Sequence, residues 1–238
     1  MPTHLRPLGP AWQPLLDTAV DALARGGLEL GALWPTEALR REALARLAAL
    51  LDRVAVWNAR IDLTAARSEG ELVDLYLADA LVLAADGAAR GGAAPRERWI
   101  DVGSGAGAPG LSLSLLWLAP ELTLVEPRQK RVAFLRNAAG GAAPGGAPAP
   151  PPPVRVLEGR SESVAASEHD VAISRATFAP DEWLREGARL ARRRVWVLLA
   201  RAAPPELEGW QRSTQIDYEW PLTRVQRQAL AYTPASPA

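Results

Sequence analysis

The sequence predicts an α/β fold in which a parallel sheet follows a helical N-terminal region. Short apolar runs of strand length recur after residue 98, at 99–102, 122–126, 154–158, 171–174 and 194–200, and helical patterns separate several of them. Earlier in the chain, leucine and alanine recur at helical spacing instead. We therefore expect a helical region at residues 1–90 and an α/β domain at residues 91–238.

The N-terminal region contains two segments with a helical pattern. In "EALRREALARLAALLDRVAVWN" the apolar side chains form one stripe along a helix, which consists of Leu39, Leu44, Leu47, Leu50, Leu51 and Val54. The second segment, "EGELVDLYLADALVLAA", leads into a connection rich in glycine and alanine. Both segments are predicted to be helices of an N-terminal extension.

The stretch "WIDVGSGAGAPGLSLSLLWLAPELTLVEP" places four glycines within eight positions between an apolar run and a leucine-rich segment. Residues 99–102 are predicted to be a buried strand and residues 109–118 a helix with proline near its first turn, so the glycines lie in a strand-to-helix turn. Glycine permits positive φ there and lets a ligand reach main-chain N–H groups beside a helix N-terminus. The turn is predicted to bind a nucleotide-like ligand; the alternative is a tight junction that binds nothing.

The glycine spacing also matches the dinucleotide fingerprint, because Gly105, Gly107 and Gly110 follow the pattern G-x-G-x-x-G. Glu126 follows the apolar run "LTLV" about 20 residues further on, where a carboxylate can accept hydrogen bonds from ribose hydroxyls. As the end of a predicted strand, Glu126 would emerge at the carboxyl edge of the sheet, where such folds bind ligands. The pattern alone is compatible with both NAD and S-adenosylmethionine.

Composition limits the classes of function. The chain has 238 residues, 48% of them hydrophobic, which suffices for a sizeable core. It has no cysteine and two histidines, which excludes thiolate sites and leaves little for a histidine-based metal site. No run of about 18 apolar residues and no signal-peptide core occurs, so we expect a cytoplasmic protein with no membrane partner. Because 27 basic residues balance 27 acidic ones, any RNA site must be local.

Residues 138–153, "AAGGAAPGGAPAPPPP", have no apolar periodicity. Such a composition cannot bury enough apolar surface to offset the entropy lost on ordering the segment. We predict a flexible surface loop; a polyproline ligand for a partner is the alternative.

Several segments, taken in order, resemble one known family. In "WNARIDLTAAR", Asn58, Leu63 and Thr64 match an Asn-rich N-L-T-A stretch, and in "YLADAL", Asp79 and Leu81 match H-x-x-D-S-L. "DVGSGAGAPG" resembles the family's cofactor loop almost letter for letter, "RQKRVAFLRNA" its basic helix after the second strand, and "GRSES" and "DVAISRA" the ends of its third and fourth strands. From about residue 45 to the C-terminus, the chain resembles the 16S rRNA guanine-N7 methyltransferase family, also called glucose-inhibited division protein B.

The resemblance implies a Rossmann-like, class I S-adenosylmethionine-dependent methyltransferase sheet with an N-terminal helical extension. It also implies a set of residues that bind S-adenosylmethionine, namely Gly103, Gly105, Gly107, Ala108, Glu126, Ser161, Glu162 and Arg175. Loop amides would meet the methionine carboxylate, and Glu126 would accept from the ribose hydroxyls. Ser161 and Glu162 would lie beside the adenine; alternatively, Glu162 is an exposed carboxylate and Arg175 pairs with an acid at a helix start.

Three positions depart from the family pattern. Tyr76 replaces the usual histidine, Ala108 replaces a bulky residue, and "LLARA" replaces a lysine–glycine pair at the end of the fifth strand. Arg201 could stand in for that lysine, and Arg227 in "VQRQALAY" resembles an arginine before the family's last strand. We assign both arginines to RNA phosphates, where their charge is favourable; the alternative is two solvated surface arginines.

The implied function is methyl transfer from S-adenosylmethionine to N7 of a guanine in 16S rRNA, by a monomer that acts on the rRNA or on the small subunit. Guanine N7 carries an in-plane lone pair, so neither a general base nor a metal is required and no catalytic residue is assigned. The absence of cysteine argues against transfer to cytosine C5, which commonly uses a cysteine nucleophile. Two alternatives remain. One is a catalytically silent RNA-binding module that binds the cofactor. The other, less favoured, is an NAD-dependent oxidoreductase, for which the single lysine, Lys130, is poorly placed in a predicted helix.

Overall fold

The described part of the protein forms a mixed seven-stranded sheet with helices before it and between its strands. The computed structural model describes residues 5–91, 97–118, 120–140 and 154–235. The α-helices in chain order are α1 (Trp12–Arg25), α2 (Glu37–Asn58), α3 (Glu69–Arg90), α4 (Gly110–Leu116), α5 (Gln129–Ala139) and α6 (Pro180–Leu190). The strands are β1 (Arg98–Val102), β2 (Glu121–Glu126), β3 (Val154–Glu158), β4 (His169–Ser174), β5 (Ala191–Leu199), β6 (Trp210–Glu219) and β7 (Gln226–Pro234).

The strand order is β3-β2-β1-β4-β5-β7-β6. β1 to β5 pair in parallel, which confirms the five predicted strands. β7 runs antiparallel to both β5 and β6, so the sheet is parallel over the five predicted strands and antiparallel in its C-terminal part, which the sequence analysis did not describe. The apolar pattern did not indicate β6 because it is an edge strand of mostly polar sequence, WQRSTQIDYE, in which no residue is fully buried.

The order of the strands creates a crevice at the carboxyl edge of the sheet. From β1 the chain adds β2 and β3 on one side of the sheet. It then crosses to the other side of β1, where β4 and β5 are added, so the strand order reverses next to β1. Open α/β sheets bind ligands at such a switch point. Gly103 follows β1, Glu126 ends β2 and Arg175 follows β4, which brings three of the predicted site residues to this edge.

Helix α2 buries the predicted apolar stripe except at its first member. Leu44, Leu47 and Leu51 are fully buried, whereas Leu39 is 43% exposed. Leu39 lies in the first turn of α2, and burial of the helix begins one turn later, at Ala43. The prediction that Leu39 belongs to the core stripe is therefore wrong.

The N-terminal helices and the sheet share an apolar core. Leu16 of α1, Leu47 of α2 and Leu81 of α3 lie in one buried cluster with Trp99 of β1 and Ala229 of β7. Burial of this apolar surface stabilises the contact at about 25 cal/mol per Å². The division of the chain near residue 90 stays a prediction.

Two boundaries differ from the predicted ones. α4 is shorter than the expected 109–118 and spans Gly110–Leu116. α5 continues to Ala139, so the first two residues of the predicted loop 138–153 are helical. Residues 141–153 of that loop lie outside the described residues, and its flexibility stays a prediction.

The burial difference along α2 predicts unequal effects of the same substitution. Leu47→Ala is expected to lower the free energy of unfolding by about 2–5 kcal/mol, because it removes methyl groups from a fully buried site. Leu39→Ala, in the same helix, should change the free energy by no more than about 0.5 kcal/mol. Urea denaturation of both variants measures this, and equal losses would contradict the assignment of Leu39 to the surface.

Candidate functional site

The turn between β1 and α4 adopts a backbone that favours glycine. Gly103 and Gly105 have φ of 72° and 57°, in the left-handed region. A Cβ on Gly103 would overlap the side chain of Thr177, which follows β4. The turn therefore approaches the neighbouring segment so closely that a larger residue at Gly103 would displace one of the two.

Asp101 lies in β1 beside this turn and is only 1% exposed. Its Oδ2 accepts the N–H of Gly110 at 3.0 Å, while its Oδ1 has no hydrogen-bond partner among the described residues. Burial raises the pKa of the Asp101 carboxyl to about 7, although the Gly110 N–H and the charge of Arg175 oppose the rise. The turn thus contains a buried oxygen that can still accept a hydrogen bond.

Glu126 ends β2 at the carboxyl edge, as predicted, and is 3% exposed. Its Oε2 accepts the N–H of Gly105 at 2.9 Å, and its Oε1 accepts the N–H of Arg128 at 2.9 Å. A carboxylate offers about four lone-pair positions, so both oxygens retain acceptor capacity. Glu126 therefore fixes the glycine turn and is still able to accept from ligand hydroxyls.

A cavity of about 670 Å³ opens beside the glycine turn. Small-molecule sites typically measure about 300–1,000 Å³. One part of the wall comes from the glycine turn, Arg131 and residues 175–177, and the other from residues 63–66, α3 and the β6–β7 turn. The predicted cofactor residues that line it are Gly103, Gly105, Ala108 and Arg175.

The carboxylate of Asp79 in α3 joins three parts of the structure around this cavity. Its Oδ1 accepts the hydroxyl of Tyr218 at 2.7 Å and the indole N–H of Trp220 at 2.9 Å. Its Oδ2 lies 3.4 Å from Nη1 of Arg175. Asp79 is 2% exposed, so these donors replace the water that the carboxylate loses on burial.

Arg175 lines the cavity and also pairs with an acid. Besides its contact with Asp79, its Nη1 donates to the carbonyl oxygen of Leu75 at 3.0 Å. Arg175 therefore pairs with an acid, as the alternative interpretation expected, but Asp79 lies in the middle of α3 and not at a helix start. Its contact with a cofactor remains a proposal.

Helix α3 supports both sides of the cavity through two further side chains. The hydroxyl of Tyr76 donates to the carbonyl oxygen of Ala106 in the glycine turn at 2.9 Å. Burial raises the pKa of Tyr76, so this hydroxyl remains a protonated donor at neutral pH. On the other side, Asp74 accepts the N–H groups of Leu222 and Thr223 in the β6–β7 turn at 3.1 and 2.7 Å.

Four predicted cofactor residues do not line this cavity, namely Gly107, Glu126, Ser161 and Glu162. Ser161 and Glu162 lie in a short 3-10 helix after β3, where the carbonyl oxygen of Ser161 accepts from Arg189 at 2.8 Å. They share the carboxyl edge with Glu126, whose carbonyl oxygen accepts the N–H of Gly159 at 3.2 Å. Their contact with an adenine stays a prediction.

The two arginines assigned to RNA have different surroundings. Arg201 is exposed in the segment after β5. Arg227 lies within β7 rather than before it, and its guanidinium carbon lies 4.0 Å from the centroid of the Trp220 ring. The Nε of Arg227 is buried as well, so the alternative of a simply solvated arginine is wrong at this position.

The sequence analysis did not assign several residues that line the cavity. Glu71 and Leu75 are four residues apart and share one face of α3, which is a signal available in the sequence, whereas Tyr76 points from a different part of the helix surface. Arg131 lies in the basic helix that carried part of the resemblance. Trp220 belongs to no pattern, because only the long-range pairing of β6 and β7 brings it to the cavity.

Among the described residues, no helix combines the length and the apolar character needed to cross a bilayer. In the same part of the chain, no group of three or more histidine, aspartate or glutamate side chains is arranged to hold a metal ion.

Comparison with known proteins gives one consistent result. A family model described as "rRNA small subunit methyltransferase G" (GidB) matches residues 43–226. The Ribosomal RNA small subunit methyltransferase G of Anaeromyxobacter dehalogenans strain 2CP-C is 34% identical over 176 residues, which cover 71% of this chain and 72% of that protein. The protein of the same name from Bordetella pertussis is 32% identical over 164 residues, covering 68% of this chain and 65% of that protein.

The sheet, the glycine turn with Glu126 and the family match together define an S-adenosylmethionine-dependent methyltransferase with a Rossmann-like class I fold. Within that class, the chain belongs to the family of the rRNA small subunit methyltransferase G.

The residues present fit S-adenosylmethionine. Gly105 lines the cavity, and a Cβ built on it would have no neighbour closer than 3.9 Å, so the absence of a side chain leaves space for a ligand. The buried Oδ1 of Asp101, beside the turn, has no partner among the described residues, although Asp101 itself does not line the cavity. The acceptor capacity of Glu126 suits the ribose hydroxyls.

Two glycines with nearly the same backbone provide a test of the turn. Gly105 and Gly9 have φ of 57° and 54°, but only Gly105 lines the cavity. Gly105→Ala should weaken S-adenosylmethionine binding by about tenfold, which corresponds to about 1.4 kcal/mol, because its methyl group takes up ligand space. Gly9→Ala should carry a similar backbone strain and leave the affinity unchanged. Calorimetric titration of both variants decides this, and equal affinities would contradict a ligand at the turn.

Proposed function

We propose that this protein transfers the methyl group of S-adenosylmethionine to N7 of a guanine in the 16S rRNA of the small ribosomal subunit. The observation that supports this best is the family match over residues 43–226, which includes all the residues that line the cavity. The relatives named above are called Ribosomal RNA small subunit methyltransferase G, and we extend their substrate class to this chain.

We assign the cofactor to the part of the cavity beside the glycine turn. Gly103, Gly105, Gly107 and Ala108 would present the backbone to the methionine moiety, and Glu126 would accept from the ribose hydroxyls. Ser161 and Glu162 would border the adenine, and Arg175, which lines the cavity, would contact the cofactor. When bound, S-adenosylmethionine supplies a methyl group on a positively charged sulfur.

The chemistry requires alignment rather than proton transfer. The N7 lone pair forms the new bond to the methyl carbon while the carbon–sulfur bond breaks and its electron pair remains on sulfur. The positive charge moves to the guanine, and no proton leaves N7. Since no proton is transferred, the hydroxyl of Tyr76 need not act as an acid or a base: it is buried and neutral, and its proton is already donated to the carbonyl oxygen of Ala106. The protein contributes positioning and electrostatics.

Electrostatics also determine where arginines are useful. A cationic guanine is destabilised by nearby positive charge, and the carboxylate of Asp79 offsets the charge of Arg175 at the cavity wall. Arg201 and Arg227 are assigned to RNA phosphates, where their charge is favourable. The target guanine would leave its stack to enter the cavity.

The decisive measurement uses small subunits from a strain that lacks the corresponding methylation. Wild-type protein with S-adenosylmethionine should introduce a methyl group into 16S rRNA, at a site that becomes sensitive to borohydride reduction and aniline cleavage, as N7-methylguanosine does. A methyl group on another atom would contradict the N7 assignment. RNA binding without methylation would support the silent binding module instead.

The phosphate assignment predicts a change in the salt dependence of RNA binding. Arg201→Ala and Arg227→Ala should each lower the slope of log affinity against log salt by about one unit, since each removes one phosphate contact. Arg185→Ala is the control, because Arg185 is an exposed arginine of α6 that lies outside the cavity. RNA affinity measured across a salt series tests this. If the slopes of Arg201→Ala and Arg227→Ala equal that of Arg185→Ala, the two arginines do not contact phosphates.

A further inference from the structure

The half of the cavity formed by α3 and the β6–β7 turn has no role assigned so far. Glu71 lines it, five residues before Tyr76 on the same helix. At 1.5 Å per residue this is about 7.5 Å along the helix axis. Since the hydroxyl of Tyr76 contacts the glycine turn, the cavity extends about one and a half helical turns beyond the assigned cofactor end.

Glu71 is the one carboxylate among the described residues that line the cavity. Its Oε2 accepts the N–H of Arg67 at 2.6 Å, and its own N–H donates to Oγ of Ser68 at 3.1 Å. The first contact holds the side chain near the start of α3, and the second caps the helix through the backbone. A carboxylate with one such contact retains acceptor positions on both oxygens.

The neighbouring walls are also held in place. Oδ1 of Asn58 accepts the N–H groups of Leu63 and Thr64 at 2.9 and 3.0 Å, which orders the segment that lines the cavity before α3. The Trp220 ring also lines the cavity, although the residue is only 8% exposed. Its indole N–H donates to Asp79 and the guanidinium of Arg227 lies over the ring, so the part that remains exposed offers an apolar contact.

We propose that this half of the cavity binds the target guanine, with Glu71 as the residue that selects guanine and Trp220 as an apolar surface for the base. The proposal rests on the proposed function. Guanine is the RNA base that presents two adjacent donors, N1–H and the 2-amino group, on its Watson–Crick edge, and a carboxylate accepts both. Flipped bases are commonly read through this edge. N7 lies on the Hoogsteen edge, so it stays free when the Watson–Crick edge is bound. The negative charge of Glu71 also favours the positive charge that develops on the base.

Glu71 also belongs to the N-terminal cap of α3, so the test must separate recognition from helix stability. Glu71→Gln keeps the shape of the side chain but replaces one acceptor with a donor. Glu69→Gln is the matched control, because Glu69 is an acid in the same first turn that does not line the cavity. Ser68→Ala weakens the cap and leaves the Glu71 carboxylate in place.

The experiment compares small-subunit rRNA carrying guanosine or inosine at the methylated position, since inosine retains N7 and N1–H but lacks the 2-amino group. For wild-type protein, kcat/KM should be at least about tenfold lower with inosine, as expected for a lost hydrogen bond to a charged group. Glu71→Gln should lower kcat/KM for guanosine by at least about tenfold and bring the guanosine-to-inosine ratio close to one. Its affinity for S-adenosylmethionine and its melting temperature should match those of Glu69→Gln.

Each other outcome overturns the inference. If wild-type protein methylates both substrates equally, or if Glu71→Gln keeps the wild-type preference, Glu71 does not read the 2-amino group, and the proposed function still stands because guanosine is methylated. If Ser68→Ala reproduces the loss seen in Glu71→Gln, the cap explains the effect. If wild-type protein methylates neither substrate, the proposed function fails, and the inference fails with it.

Discussion

The buried carboxylate of Asp79 is the constraint on which the arrangement of the site depends. A charge that is 2% exposed must be matched by donors, and those donors come from Arg175, Tyr218 and Trp220. They lie 96 to 141 residues away along the chain, so satisfying one carboxylate fixes the relative positions of α3, the end of β4 and the segment around the end of β6. The cavity is the space that these elements enclose.

Helix α3 carries several of the interactions that shape this cavity. Asp74 holds the β6–β7 turn and Tyr76 holds the glycine turn. Because both side chains belong to one rigid helix, the two sides of the cavity share a single support. This explains why a helix outside the sheet contributes to the site alongside the strands.

The sequence was sufficient for the features that depend on local chemistry. The glycine turn and Glu126 at the end of β2 could be predicted, because backbone freedom and strand ends have local signatures. The surroundings of Arg227 could not be predicted, because its contact with Trp220 arises from the antiparallel pairing of β6 and β7. Leu39 shows a related limit, since a periodic pattern does not reveal where along a helix its neighbours begin.

The antiparallel pairing of β7 between β5 and β6 has a consequence for the order in which the protein can be completed during synthesis. The glycine turn and all five parallel strands are made before residue 200, yet the donors to Asp74 and two of the donors to Asp79 lie between residues 218 and 223. A nascent chain that ends before this segment has the cofactor-side turn but leaves both aspartates without these donors. The cavity can therefore close only when the β6–β7 hairpin has left the ribosome, so a segment made after all five parallel strands determines when the site becomes complete.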